Sequence, residues 1–206
     1  RIKGKGSKTI LFYNHYDVQP ADPLNEWKYE PFAASIAGGK MYGRGTADNK
    51  GDIIARLSAV EAFLKVRGSL PVEAFFFIEG EEEIGSTNLD KLVSKNLSLL
   101  KSDCCIWECG EKNFSGRLNV YLGVKGLLYV ELDLTEANYD SHSSRATTIP
   151  NPAWKLIRAL NSLKDSSEKI LIDGFIDDVV PLTEKEKKAT SRIPAEDTKI
   201  KRDLGI

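Results

Sequence analysis

The chain has 206 residues, 41% hydrophobic and 29% charged, a balance that suits a packed globular protein and excludes a disordered one. Its 29 Lys and Arg stand against 30 Asp and Glu, a net charge of −1, which argues against nucleic-acid binding by bulk charge. No apolar run approaches the ~20 residues of a membrane span, so no membrane partner is expected, and the cysteine usage described below points to a cytoplasmic setting.

Thr9 to Tyr13 is a β-rich apolar run and predicts a buried strand that delivers Asn14-His15-Tyr16-Asp17. A Pro- and Asp-rich loop follows, with Trp27 and Phe32 as anchors, and Met41-Tyr42 suggests a short strand. The loop Gly43-Arg44-Gly45-Thr46-Ala47-Asp48-Asn49-Lys50-Gly51 matches neither phosphate-binding glycine pattern. Its glycines let the backbone turn sharply and aim Asp48. From Asp52 to Val66 apolar residues recur at helical spacing, and Gly68 and Pro71 stop the helix. Val72 to Ile78 predicts a second buried strand, Thr87 to about Asn96 a polar helix, and Asp103 to Trp107 a third strand.

The three cysteines, Cys104, Cys105 and Cys109, are odd in number and crowded into six positions, unlike a disulfide framework or a zinc knuckle. They are expected to be reduced, buried small hydrophobes. The character changes near Gly123–Gly126. Leu118–Leu122 and Leu127–Leu134 are strand-like, Pro152–Leu163 is an amphipathic helix with Asn151 or Pro150 near its start, and the tail from Thr183 to Lys201 is charged and mostly polar. The expected fold class is α/β, a largely parallel mixed sheet with flanking helices over residues 1–124, followed by a small α+β unit over 125–206.

Three predicted strands end in acidic or imidazole groups, and in open α/β sheets the ligand site lies beyond the carboxyl ends of the strands. Those ends carry His15 and Asp17, Glu79 to Glu83, and Glu108, while Asp48 opens the first long helix. Converging carboxylates repel one another without a cation, and imidazole nitrogen with carboxylate oxygen is a zinc-type donor set. Each motif also has a plainer reading. His15 suits a surface histidine beside a turn, the Glu79–Glu83 run a solvated charge cluster, and His142 a loop histidine satisfied by water.

In their order, His15-x-Asp17, then Gly43-Arg44-Gly45 through Asp48-Asn49-Lys50-Gly51, then Glu82-Glu83 before Gly85-Ser86, the motifs resemble the di-zinc aminoacylase/carboxypeptidase family. That family includes carnosinase-type dipeptidases, acetylornithine deacetylase and succinyl-diaminopimelate desuccinylase. The carnosinase-like branch fits through His15-Tyr16-Asp17-Val18-Gln19-Pro20, Trp27 and Ile170-Leu171-Ile172-Asp173-Gly174. The resemblance implies a metal-dependent peptidase catalytic domain followed by the start of a lid domain through which the protein forms a homodimer. It implies two divalent ions, zinc, with cobalt or manganese as alternatives. His15 and Glu108 would bind one, Glu83 the other, and Asp48 both. Asp17 would orient His15, Glu82 would be the general base, and His142 would steady the oxyanion. The substrate would be a dipeptide or an N-acyl amino acid.

The family supplies a further metal-binding histidine far downstream, whereas this chain has only His15 and His142. The 206 residues are therefore expected to be a fragment that ends inside the lid and is itself inactive. The alternative is a metal-poor, non-catalytic homologue serving as a binding or dimerisation module.

Overall fold

A computed structural model describes every residue except Cys109, Phe114 and Leu122. The chain divides into two units, Arg1–Tyr121 and Leu122–Ile206.

In the first unit, β1 (Thr9–His15), β4 (Glu73–Glu79) and β5 (Cys104–Ile106) form a parallel sheet in the order β4-β1-β5. β2 (Ser35–Ala37) and β3 (Lys40–Tyr42) make a separate antiparallel pair in the loop between β1 and α1 (Lys50–Arg67). Alternation along β1 sends its apolar side chains to both faces. Ile10 and Phe12 join Phe76, Leu64 and Ile2 around the buried core of Val60, Leu70 and Ala74. Phe12 and Phe76 are register partners in adjacent strands, and their rings stack at 4.9 Å. The helix ends at Gly68, whose φ of +70° is left-handed and whose N–H reaches Leu64 O at 2.8 Å.

The opposite face is covered by two short helices, α2 (Leu89–Lys95) and α3 (Leu97–Leu100). Leu11, Tyr13 and Phe77 from the sheet, Leu89, Val93 and Leu97 from the helices, and Trp107 surround an apolar cavity of about 580 Å³. Cys104 and Cys105 are exposed rather than buried, because three-residue β5 is the edge strand and has a neighbour on one side only. Cys109 lies outside the described residues. Asp103 fastens β5 to β1, accepting from Lys8 Nζ at 2.6 Å and from the Thr9 N–H at 2.8 Å. Those contacts hold its carboxyl at about 2, the Lys8 hydrogen bond contributing most. Trp27 is an anchor as expected, its indole N–H donating to Ala21 O at 2.8 Å, whereas Phe32 is 64% exposed.

The second unit contains α4 (Pro152–Asn161), α5 (Glu184–Thr190) and α6 (Asp197–Asp203). Asn151 caps α4 by accepting the Ala153 N–H at 2.9 Å, with Pro152 in the first turn. The polar tail holds two helices that apolar periodicity does not reveal. α5 starts at a capping box between Thr183 and Glu186, and α6 carries the pair Lys199–Asp203 at 3.1 Å. Residues 127–134 form no strand, and Leu118 makes only an isolated bridge to Lys112, while Leu122 is outside the described residues. An alternating segment becomes a strand only when a neighbour accepts its ladder hydrogen bonds. No helix among the described residues is long and apolar enough to cross a membrane.

Candidate active site

The carboxyl ends of β1, β4 and β5 face the same space, and the sequence-predicted residues of the first unit meet there. His15, the last residue of β1, is 1% exposed. Its Nε2 lies 2.8 Å from Asp48 Oδ1, 3.4 Å from Glu108 Oε2 and 3.9 Å from Glu82 Oε2. One ligand atom from each of His15, Asp48 and Glu83 falls within 4.8 Å of the others. Asp48 stands at the entry to α1, and its peptide bond to Asn49 is cis. On the other side of the ring, His15 Nδ1 is 3.3 Å from Asp17 Oδ1, without the alignment of a hydrogen bond.

The acidic run after β4 divides its labour. Glu79, 7% exposed, accepts from the Tyr13 hydroxyl and from Ser86 Oγ at 2.9 Å. Glu81 accepts from the Asn88 N–H at 3.0 Å, from Asn88 Nδ2 at 2.9 Å and from Thr87 Oγ1 at 3.1 Å. Those two carboxylates shape the turn, and Glu82 and Glu83 are left for the cluster. A single turn of 3-10 helix, Glu82–Ile84, carries the pair and closes on Gly85, whose φ of +85° favours glycine. The Glu83 N–H donates to Asp17 Oδ2 at 2.9 Å, and Gln19 Nε2 donates to Glu83 O at 2.7 Å.

Electrostatically the cluster is dominated by carboxylates. Burial, then the neighbouring charge of Glu82, pushes Glu108 up to about 7. Burial also raises Glu82, helped by Glu83, Asp48 and Asp17. For His15, burial lowers proton affinity, but the Asp48 hydrogen bond and the charges of Glu108, Asp48 and Glu82 outweigh it and raise the value. Burial works against ionised Asp17 too, yet the Glu83 N–H and other contacts lower its value. Glu108 Oε2 and His15 Nδ1 are buried without a hydrogen-bond partner. A buried carboxylate oxygen unsatisfied beside an imidazole nitrogen and further carboxylates is the environment a divalent cation satisfies, so the residues present fit such an ion.

His142 belongs to the second unit, where it caps the 3-10 turn Ser143–Arg145. Its Nδ1 accepts the Ser144 N–H at 3.2 Å and lies 3.0 Å from Ser144 Oγ. Sequence reasoning gave no role to Tyr13 or Arg56, and took Glu79 as part of the acidic run without separating it from Glu82 and Glu83. The signal for Arg56 was available, since a charged residue shares the helical face of Ile53, Leu57 and Val60, where an unpaired cation is not expected.

A parallel α/β sheet whose strand ends gather one imidazole and several carboxylates provides a donor set suited to a divalent metal ion. The profile of the family described as Peptidase family M20/M25/M40 matches residues 11–176, and the chain belongs to that family. It is 38% identical over 181 residues to the human Beta-Ala-His dipeptidase, covering 86% of this chain and 36% of the relative. It is also 38% identical over 184 residues to a Cys-Gly metallodipeptidase of Candida albicans, covering 87% of this chain and 38% of the relative. Among solved structures, an M20 family metallo-carboxypeptidase from Sulfolobus solfataricus superposes with a TM-score of 0.92 at 44% identity, over 100% of this chain and 47% of that one. The chain thus spans less than two-fifths of these curated relatives and about half of the solved structure.

Proposed function

We propose that the first unit carries the metal-binding half of a hydrolase site that cleaves a peptide or N-acyl amide bond next to a free carboxylate, in a dipeptide or N-acyl amino acid. The carrying observation is the approach of His15, Asp48 and Glu83 ligand atoms to within 4.8 Å, with Glu108 3.4 Å from the same histidine nitrogen. His15 and Glu108 would hold one divalent ion, Glu83 a second, and Asp48 both. Zinc suits the donors, and so do cobalt and manganese. When bound, such ions polarise the scissile carbonyl and bring the pKa of the attacking water to about 7.

Glu82 accepts the proton from the attacking water and returns it to the leaving amine. Its raised proton affinity suits a group that must do both. Asp17 orients the His15 ring from behind. His142, from the second unit, would donate to the oxyanion. Residues 1–124 are the catalytic domain in this reading, and residues 125–206 begin a lid that dimerises. The second ion needs a further histidine, since only His15 and His142 occur here. A cytoplasmic location fits free Cys104 and Cys105.

Metal analysis of the full-length natural protein tests this reading. About two zinc per chain are expected, reduced by His15→Ala and by Glu83→Gln. Zinc near zero with all four ligands intact would overturn it in favour of a metal-poor binding module. A panel of dipeptides, acetyl-amino acids and succinyl-amino acids identifies the substrate.

A further inference from the structure

One guanidinium joins three of the segments that carry candidate ligands. Arg56 Nη1 donates to Tyr13 O at 2.7 Å and to Asn14 Oδ1 at 2.6 Å, and Nη2 donates to Trp107 O at 2.7 Å. Tyr13 and Asn14 lead directly into His15, and Trp107 leads directly into Glu108. Asn14, fully buried, turns its amide nitrogen to Asn49 Oδ1, and Asn49 follows Asp48. Asn49 Nδ2 then donates to Asp52 Oδ2 at 3.0 Å, one helical turn before Arg56. Because the cation takes the Asn14 oxygen, the Asn14 amide nitrogen is left for Asn49, so the whole chain of donors has one direction.

The location matters. Register pairing of β1 with β5 ends at Phe12 and Ile106. The next pair in register, Tyr13 and Trp107, has stacked rings 4.0 Å apart, and both its carbonyls accept from Arg56. The side chain ties the two strands just where their own ladder stops and their ligands begin. A guanidinium can do so because its donors are fixed in one plane, whereas a lysine ammonium is a single point.

We propose that Arg56 is a positioning residue that sets the spacing of His15, Asp48 and Glu108 for metal binding while touching no reacting atom. This rests on the metal-site reading above. Removing groups that orient metal ligands weakens affinity by about 10–100-fold.

The test is cobalt(II) titration of the metal-free full-length natural protein, followed by visible absorption and by chelator competition. Far-UV circular dichroism monitors the fold. Arg56→Met is expected to fold, to bind cobalt about 10–100-fold more weakly and to shift the absorption bands. Arg56→Lys, which keeps the charge but cannot reach all three acceptors, is expected to recover part of the affinity. Leu70→Ala, a purely structural loss in the same unit, should leave affinity at the wild-type level.

A folded Arg56→Met that binds like wild type would overturn the positioning role alone. Should Arg56→Met not fold, wild-type affinity in Arg56→Lys overturns it equally. His15→Ala binding as well as wild type, or wild type binding no cobalt, would instead overturn the metal-site reading and this inference with it.

Discussion

Asp17 accepts the Glu83 backbone N–H at 2.9 Å while its other oxygen stands 3.3 Å from His15 Nδ1. One carboxylate therefore spans the ends of β1 and β4, steadying a candidate ligand from each. Asp17→Asn keeps an oxygen for the Glu83 N–H but loses the charge behind His15. Zinc affinity, measured by chelator competition, is expected to fall about 10-fold or more with the fold retained. Unchanged affinity would remove Asp17 from the site.

Glu82 and Glu83 are sequence neighbours with different assignments. In the full-length protein, Glu82→Ala should retain metal and lose turnover by ~10²–10⁴-fold. Glu83→Gln should lose metal first. Activity that survives Glu82→Ala would exclude it as the general base.

Without metal, the cluster holds protons that the unfolded chain releases more readily. Glu108 lies at about 7, above its ordinary 4.5, through burial and then the charge of Glu82. His15 is also raised, the Asp48 hydrogen bond and the carboxylate charges overcoming burial. With both folded-state values raised, the metal-free fold binds more protons than the unfolded chain. Its stability should therefore fall as pH rises from about 4.5 to about 7 and on through the His15 value. Thermal scans in EDTA from about pH 5 to about pH 8 should show the decline, and Glu108→Gln should flatten it. Zinc affinity should move the opposite way, weakening below about pH 7 as protons compete.

Leu70 is 5% exposed in the core with Val60 and Ala74, packed against Ile2, Ile10, Phe12, Leu64 and Phe76. Leu70→Ala should cost about 2–5 kcal/mol in urea unfolding. Its zinc affinity should match wild type, which separates loss of packing from loss of the site.

Local signals made much of the first unit legible. Apolar runs with β-branched and aromatic residues marked β1, β4 and β5, and Gly68 marked the end of α1. The prediction that His15, Glu82, Glu83 and Glu108 stand at strand ends, with Asp48 at the entry to the first long helix, came from element order and the parallel-sheet rule, and their separate roles from the family resemblance. The segment 127–134 misled because alternation records which side chains share a face, and a strand also needs a partner. The helices of the tail were missed because capping and ion pairs support them, with little apolar periodicity to betray them.

The amino-acid sequence by itself determined which residue types sit where strands end, since hydrophobic period and turn chemistry are properties of neighbouring residues. The tertiary structure alone decided how the acidic run divides, with Glu79 held by Tyr13 across 66 residues and Glu81 by Asn88 across 7. It alone placed Arg56 across 43 and 51 residues against the carbonyls ahead of His15 and Glu108. Contacts spanning 43 to 66 residues arise from chain crossing, and no local pattern encodes them. A lone arginine on an apolar helical face became the junction of three ligand-bearing segments only when the sheet brought them together.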